Sequence, residues 1–220
     1  MASEIILPAH KPKLVIDQGQ KTPELYEYYP LQKVEGVLIP SLDIGKKHFG
    51  VYIHSMTTNR AVYAGIWKLG EKMDLPTQTR LTMLLNRLKP FFLASKTIFV
   101  EAQRLQNPVC LRLQQHVLTW AELTHPHLDV ITVGSDVKYR KNDGPLGDQK
   151  HLRKKWCITK CLELFDEQGD GVATFIRKLE EMRLSQKDFE IKADDVCDAA
   201  LQLFGRLKAC TKKEREKWTL

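Results

Sequence analysis

From residue 37 onward, short apolar runs alternate with longer segments whose apolar residues recur at helical spacing. The runs VLIPSLDIG, HFGVYIHS and RAVYAGIWKL follow one another closely and predict three strands in antiparallel hairpins. The later pattern predicts a helix over 77–93, a strand ending at Glu101, a helix over 108–124, a strand over 129–134, and helices ending at Leu164 and spanning 170–184 and 193–207. This order predicts an α/β domain with a mixed sheet.

The predicted elements fill one domain and leave both ends of the chain outside it. The total of 220 residues suits a single domain with its own core. Residues 1–35 contain four prolines and little periodicity, which predicts an N-terminal extension or arm. The domain proper is expected over 36–210, and 211–220, rich in both charges, is expected to be a C-terminal tail.

The composition indicates in which cellular compartment the protein acts. No apolar run approaches the roughly 20 residues that a membrane-spanning helix needs. The first residues, MASEIILPAHKPK, lack the pattern of a secretory signal, so we expect the protein not to be secreted. The five cysteines are an odd number without C-x-x-C spacing, which indicates buried thiols in a reducing, intracellular compartment.

The charge balance favours a polyanionic partner. The formal net charge is +7, and the basic residues do not follow one face of an amphipathic helix. This pattern favours nucleic acid over a membrane surface. Neither G-x-G-x-x-G nor a P-loop occurs in the sequence, so no nucleotide or other organic cofactor is indicated.

Acidic residues occur at positions where a lone carboxylate is costly or unusual. Asp43 interrupts the apolar run LIPSLDIG, and burying an unpaired carboxylate costs several kcal/mol. Glu101 ends the strand TIFV, and Asp195 and Asp198 share one face of the last helix. Singly, these residues also fit a solvated strand end or helix caps. Gathered at one place they would repel unless a cation joined them, and Mg²⁺ prefers such carboxylate ligands.

A basic segment lies between the last predicted strand and the following helix. Its candidate phosphate contacts are Lys138, Arg140, Lys141, Arg153, Lys154 and Lys155. Such contacts position a nucleic acid without reading its sequence. The alternative is a solvated loop and helix face.

The motifs SLDIGKKHFG (41–50), IFVEAQ (98–103) and ADDVCDA (193–199), in this order, resemble those of the RNase H-like Holliday junction resolvases. The likeness is to the RuvC group and, within it, to the poxvirus-type viral resolvases; VITVGSDVKYRK (130–141) adds a weaker match. It covers about residues 37–208, except the segment around 166–190. The sequence has Glu-Ala-Gln at 101–103 where the bacterial enzymes have Glu-Gln.

The resemblance implies an RNase H-like fold, with a mixed five-stranded sheet flanked by helices. It implies a metal-dependent endonuclease that nicks four-way DNA junctions symmetrically, as a homodimer, in recombination or in resolving viral genomes. The implied ligands of two Mg²⁺ ions, for which Mn²⁺ may substitute, are Asp43, Glu101, Asp195 and Asp198.

The same resemblance gives roles to residues around the metal ligands. Asp194 would lie outside the ligand set, and Lys138 would lie beside the scissile phosphate. Arg104 and Arg112 are candidates for contacts with the junction arms. The helix 108–124 would form the dimer face, although its stripe of Val109, Leu113, Val117 and Trp120 fits an ordinary core equally well.

Two other functions remain open on the sequence. One is an RNA–DNA hybrid ribonuclease with the same fold and metals. The other is a non-catalytic nucleic-acid-binding module, although such a module gains nothing from four clustered acids. If the chain is viral, it would act in the host cytoplasm or nucleus.

Overall fold

The structure is a computed structural model and describes residues 5–6, 25–28, 33–34, 36–69, 76–145, 150–186 and 191–219. Its strands are β1 (Ile5–Ile6), β2 (Leu25–Tyr28), β3 (Lys33–Val34), β4 (Leu38–Ile44), β5 (His48–Ser55), β6 (Arg60–Lys68), β7 (Thr97–Glu101) and β8 (Asp129–Val133). Its helices are α1 (Thr77–Arg87), α2 (Lys89–Leu93), α3 (Pro108–Thr124), α4 (Val137–Arg140), α5 (Lys150–Glu167), α6 (Val172–Ser185), α7 (Asp194–Ala209) and α8 (Lys212–Thr219).

Six strands form one mixed sheet in the order β2-β6-β5-β4-β7-β8. The neighbours β4, β5, β6 and β2 pair antiparallel, whereas β4, β7 and β8 pair parallel. The predicted mixed α/β sheet is therefore confirmed. Strand β4 lies where the antiparallel and parallel halves meet, so it has a hydrogen-bonded neighbour on each side.

The sheet has one strand more than the five that the sequence predicts. Strand β2 comes from the segment predicted as an arm and pairs antiparallel with β6. A buried network fixes it, and we call this set the Glu27 network: Glu27, Tyr63, Trp67 and Arg87. The Glu27 carboxylate accepts hydrogen bonds from Tyr63 Oη at 2.7 Å and Arg87 Nη2 at 2.6 Å. Tyr63 Oη in turn accepts one from Trp67 Nε1 at 2.8 Å.

Helices cover both faces of the sheet, and each face has its own apolar core. Because side chains alternate along a strand, Leu42 faces the core under α1, α2 and α3. Ile39 faces the opposite core, under α5, α6 and α7. Asp43 is four residues from Ile39 in the same strand, so its side chain lies on the same face of the sheet. This is the face that α7 covers.

Two helical regions differ from the expectation or decide between its alternatives. The helix predicted over 77–93 is divided at Leu88 into α1 and α2, because Pro90 lacks a backbone N–H and its ring opposes a continuous helix. The apolar stripe of α3 is core, since Leu113, Val117 and Trp120 are buried against the sheet. None of the helices in the described segments is long and apolar enough to cross a membrane.

The residues predicted as a C-terminal tail include a short helix that packs on the domain. Helix α8 buries Trp218, whose ring centroid lies 5.2 Å from that of Phe99. Arg206 of α7 stacks over the other part of this indole, at 5.2 Å from the ring centroid. The charged residues of the segment thus surround one buried aromatic anchor, which charge patterning does not reveal.

Candidate active site

The parallel strands β4 and β7 place two of the predicted acids side by side. Leu42 pairs with Val100 in this ladder, so Asp43 and Glu101 follow one step later at the carboxyl ends of adjacent strands. The apolar residues before them are fully buried, which fixes both backbones. Two carboxyl groups therefore emerge at the same edge of the sheet.

Helix α7 begins directly above this edge because a glycine lets it approach. Gly50 is the cross-strand partner of Asp43 on β5. A Cβ built on Gly50 would lie 2.1 Å from the backbone oxygen of Asp195, a distance that real atoms do not tolerate. The missing side chain thus allows the first turn of α7, which carries Asp195 and Asp198, to rest on the strand beside Asp43.

Lys138 extends its ammonium group among three of the acids. Its Nζ atom lies 2.8 Å from Asp198 Oδ2, 3.2 Å from Glu101 Oε1 and 3.5 Å from Asp43 Oδ1. Only 5% of the Lys138 side chain is exposed. We call these four residues the Lys138 site. The structure thus brings together three of the four predicted metal ligands around the predicted phosphate-side lysine.

The charges of the Lys138 site perturb one another. Burial, followed by the repulsion of Glu101, raises the pKa of the Asp43 carboxyl well above its ordinary value, and the Lys138 ammonium only partly opposes this effect. Burial would lower the pKa of Lys138, but Asp43, Asp198 and Glu101 outweigh it and raise that pKa well above its usual range. The ammonium stays charged, and the site has an excess of acid.

Two buried amides hold the elements of the Lys138 site together. Asn142 Nδ2 donates to the backbone oxygens of Lys138 at 2.9 Å and Leu201 at 3.0 Å, which ties α4 to α7. Gln202 Nε2 donates to Ser41 Oγ at 3.1 Å, which ties α7 to β4 two residues before Asp43. These bonds link α4, α7 and β4, which carry the lysine and two of the three acids.

Further side chains contact the carboxyl oxygens that Lys138 leaves free. Gln103 Nε2 donates to Glu101 Oε2 at 2.8 Å, so the glutamine reaches the acid although Ala102 separates them. Cys157 Sγ donates to Asp198 Oδ1 at 2.9 Å. Burial raises the pKa of the Cys157 thiol well above its usual range, which keeps the donor proton in place.

The fourth predicted ligand, Asp195, has a different neighbour. Its Oδ2 atom lies 3.1 Å from Nδ1 of His48, the first residue of β5. Both side chains are mostly buried, with 20% of Asp195 and 11% of His48 exposed. Asp195 thus lies in the first turn of α7, beside the Lys138 site.

The other predicted phosphate contacts follow β7 or lie on or next to α3, α4 and α5. Arg104 and Arg112 are exposed after β7 and on α3, and Arg140 and Lys141 are exposed at the end of α4. Arg153 lies over the Tyr139 ring, at 5.5 Å from its centroid. Lys154 and Lys155 line an open cleft of about 480 Å³ between α5, α6 and the start of α7.

Lys154 also has a partner that the sequence does not indicate. Its Nζ atom forms an ion pair with Asp194, whose side chain is almost fully buried. Asp194 therefore contacts α5, and its expected place outside the ligand set stays a prediction. The pair fixes α5 to the start of α7, next to Asp195.

The donor set of the Lys138 site suits a hard divalent cation. Carboxylate oxygens are the ligands that Mg²⁺ prefers, and the Lys138 ammonium already occupies a cation position among three of them. In the described segments, no group of three or more His, Cys, Asp or Glu side chains is arranged to hold a metal ion by itself. The acids converge on the ammonium, so its position defines where positive charge is favoured.

Several residues of this site escape sequence reasoning. His48 and Cys157 look like ordinary strand and helix-core residues, and Gly50 carries no motif of its own. Asn142 and Gln202 lie in segments where an amide is unremarkable. Each acts through a contact between elements distant in sequence, which no local pattern records.

Comparison with known proteins identifies the fold. No protein-family model matches the sequence, and no curated protein sequence matches it significantly. The fowlpox virus Holliday junction resolvase aligns over 79% of this chain and 99% of its own, with a TM-score of 0.51 and 15% identity. Thermus thermophilus RuvC aligns over 78% of this chain and 96% of its own, with a TM-score of 0.45 and 15% identity.

The aligned region spans nearly the whole length of the viral resolvase. The present chain adds residues beyond it, because about a fifth of the sequence lies outside the alignment. The mixed sheet and the flanking helices agree with the similarity to the viral resolvase. The chain has the RNase H-like fold, and it shares that fold with the fowlpox virus Holliday junction resolvase.

Proposed function

We propose that the protein is a metal-dependent, structure-selective DNA endonuclease that resolves four-way junctions. The observation that carries this proposal is the Lys138 site, in which three carboxyl groups share one ammonium at the edge of an RNase H-like sheet. A purely structural ion pair needs one carboxylate for one ammonium, whereas this site contains two more. The fold shared with a viral junction resolvase supports the choice of substrate.

The proposed metal ligands are Asp43, Glu101, Asp195 and Asp198. Bound Mg²⁺ or Mn²⁺, two per site, would supply an activated water and stabilise the leaving oxygen of a phosphodiester. Asp43 and Glu101 are held by the ladder between β4 and β7, and Asp195 and Asp198 by the first turn of α7. The buried walls around them exclude bulk water, which strengthens each charge interaction.

Lys138 and the outer basic residues would act on the DNA phosphates. Asn142 fixes the backbone of Lys138, and the ammonium group, held among the three acids, stays charged, so it can neutralise charge that develops on a phosphate placed there. The proposed contacts are the exposed cations Arg104, Arg112, Arg140, Lys141 and Lys155, together with Arg153 and the paired Lys154. They would position the junction arms by contacts that weaken with salt.

Symmetrical resolution of a junction requires two nicks, so we propose that the active form is a homodimer. Each protomer would contribute one Lys138 site. Because the apolar stripe of α3 is already buried within the chain, any dimer contact of this helix would use its other face. The expected products are ends with 5′-phosphates and 3′-hydroxyls.

The test uses three synthetic substrates: a four-way junction, a linear duplex and an RNA–DNA hybrid, each with and without Mg²⁺. We expect paired nicks in the junction alone, and only with the metal. Asp43→Asn should abolish cutting while the junction is still bound. Asp166→Asn, which changes an exposed acid paired with Arg177 on the α5–α6 side, is the matched control and should cut normally.

Two outcomes would replace the proposal. Cutting of the hybrid with the junction left intact would identify a ribonuclease of the same fold. Binding of the junction without cutting under Mg²⁺ or Mn²⁺ would identify a non-catalytic binding module.

A further inference from the structure

Cys157 is a fully buried thiol of α5 that faces a proposed metal ligand. Its Sγ atom lies 2.9 Å from Asp198 Oδ1 and donates a hydrogen bond to it. Helices α5 and α7 pack against each other on the same face of the sheet, and Asp198 is on α7. The thiol therefore reaches the carboxyl group within the buried contact between these two helices.

The two oxygens of Asp198 have different partners. Oδ2 lies 2.8 Å from Lys138 Nζ, within the Lys138 site, and Oδ1 accepts from Cys157. A carboxylate with one donor can rotate about its bond to Cβ, whereas donors on both oxygens fix the plane of the group. The thiol contact thus keeps Oδ2 turned toward the position that favours a cation.

A neighbouring cysteine shows that this contact is not a general property of buried thiols in α5. Cys161 lies one turn further along the helix and is as fully buried as Cys157. Its Sγ donates to the backbone oxygen of Cys197 at 3.5 Å, not to a carboxylate. The two residues have the same size, helix and burial, and differ in what they bind.

We propose that Cys157 is a positioning residue for the metal centre: it holds Asp198 through Oδ1 so that Oδ2 is presented to the bound ion. This inference rests on the proposed function. Residues that hydrogen-bond to metal ligands fix the orientation of those ligands, and their loss costs roughly 10- to 100-fold in metal affinity or activity. Cys157 is too deeply buried to touch DNA, so its effect must act through Asp198.

The experiment compares the full chain with Cys157→Ala, Cys157→Ser and Cys161→Ala. Calorimetry measures Mn²⁺ binding without DNA, and steady-state kinetics on a four-way junction measures kcat, KM and the Mg²⁺ concentration for half-maximal rate. Thermal unfolding of all four proteins records the cost of the cavity that each alanine leaves. The two alanine variants remove the same buried sulfur atom, so this cost should be similar in both.

We expect Cys157→Ala to weaken Mn²⁺ binding and raise the half-maximal Mg²⁺ concentration by about tenfold or more, with KM for the junction unchanged. Cys157→Ser keeps a donor and should recover most of the loss, whereas Cys161→Ala should bind metal as the unmodified chain does. The same reasoning predicts a lower kcat at subsaturating Mg²⁺ in Cys157→Ala, recovered by added metal.

Equal metal affinity in Cys157→Ala and the unmodified chain would overturn the inference. So would equal losses in Cys157→Ala and Cys161→Ala, or in Cys157→Ala and Cys157→Ser, because these would indicate packing alone. The proposed function is tested separately, by whether the unmodified chain binds Mn²⁺ and cuts the junction. A chain that does neither defeats both ideas, whereas an active chain with an unaffected Cys157→Ala defeats only this one.

Discussion

The Glu27 network and the Lys138 site are two buried groups of charges with opposite balances. In the Glu27 network one fully buried carboxylate accepts a bidentate pair of hydrogen bonds from Arg87 and a further hydrogen bond from the Tyr63 hydroxyl. In the Lys138 site three carboxyl groups share one ammonium. Both lie in the same domain, yet only in the Glu27 network is the buried carboxylate balanced by its neighbours.

This difference distinguishes buried charges that stabilise the fold from buried charges that serve a function. A buried ion pair is tolerated when each partner is satisfied, and breaking it is then costly. An unbalanced group of acids lowers stability, so it persists only if another interaction benefits from it. Burial is the main cause of the raised pKa of Asp43, and the repulsion of Glu101 and Asp198, which adds to it, reflects such an imbalance.

The largest expected effect comes from removing one surplus acid. Asp43→Asn should slow junction cleavage by about a thousandfold or more, because a ligand matters more than its hydrogen-bonding neighbours, whose loss costs roughly 10- to 100-fold. The same change should raise the stability of the metal-free protein by about 1 kcal/mol, since a repelled buried charge disappears. Cleavage rates test the loss of activity, and urea unfolding without metal tests the gain in stability. A metal-free protein that loses stability would contradict the assigned imbalance.

Removing the ammonium should affect both activity and stability. Lys138→Met should slow cleavage by about 100-fold, the usual effect of losing one stabilising donor. It should also destabilise the metal-free protein by about 3 kcal/mol, because three acids lose their cation. Unfolding with and without Mg²⁺ checks the second part. Mg²⁺ should stabilise Lys138→Met more than the unmodified chain, and the opposite order would refute the assigned role of the ammonium.

Breaking the balanced group should affect stability alone. Arg87→Ala leaves Glu27 buried without its cation and should cost about 3 kcal/mol, near the lower end for a buried pair because 47% of the arginine side chain is exposed. Cleavage well below the midpoint of thermal unfolding should stay within about twofold of normal, since α1 and β2 lie away from the acids. A large loss of kcat in fully folded Arg87→Ala would show that the two groups are coupled.

The smallest effect is expected from an exposed ion pair, which serves as the reference for the buried ones. Arg177 and Asp166 join α6 to α5, and about half of each side chain is exposed. Arg177→Ala should change the free energy of unfolding by less than about 1 kcal/mol, because water screens such pairs. Chemical denaturation of this variant beside Arg87→Ala measures how much burial adds.

Much of the fold and the central acids follow from the sequence, because both rest on local patterns. The short apolar runs of β4, β5 and β6 and the spacing of apolar residues in α3 and α7 are typical of strands and helices. Asp43 is visible because a charge interrupts an apolar run. The order of strands and helices then determines which residues meet at the edge of the sheet.

What the sequence does not reveal depends on contacts between distant segments. Strand β2 has only four residues, and its place in the sheet is set by β6 and Arg87. The division between α1 and α2 follows from one proline within an otherwise helical pattern. The roles of Cys157 and Asn142 depend on α7. Cys157 contacts Asp198, more than forty residues away, and Asn142 contacts Leu201, nearly sixty residues away.

Strand β2 also protects an edge. Without it, β6 would present a row of unpaired backbone groups, and such exposed edges invite pairing with other chains and aggregation. A shortened variant that begins at residue 36, the start of the domain predicted from periodicity, would lose this cover and the buried Glu27 together. The safer boundary for expressing the domain alone therefore lies before Leu25.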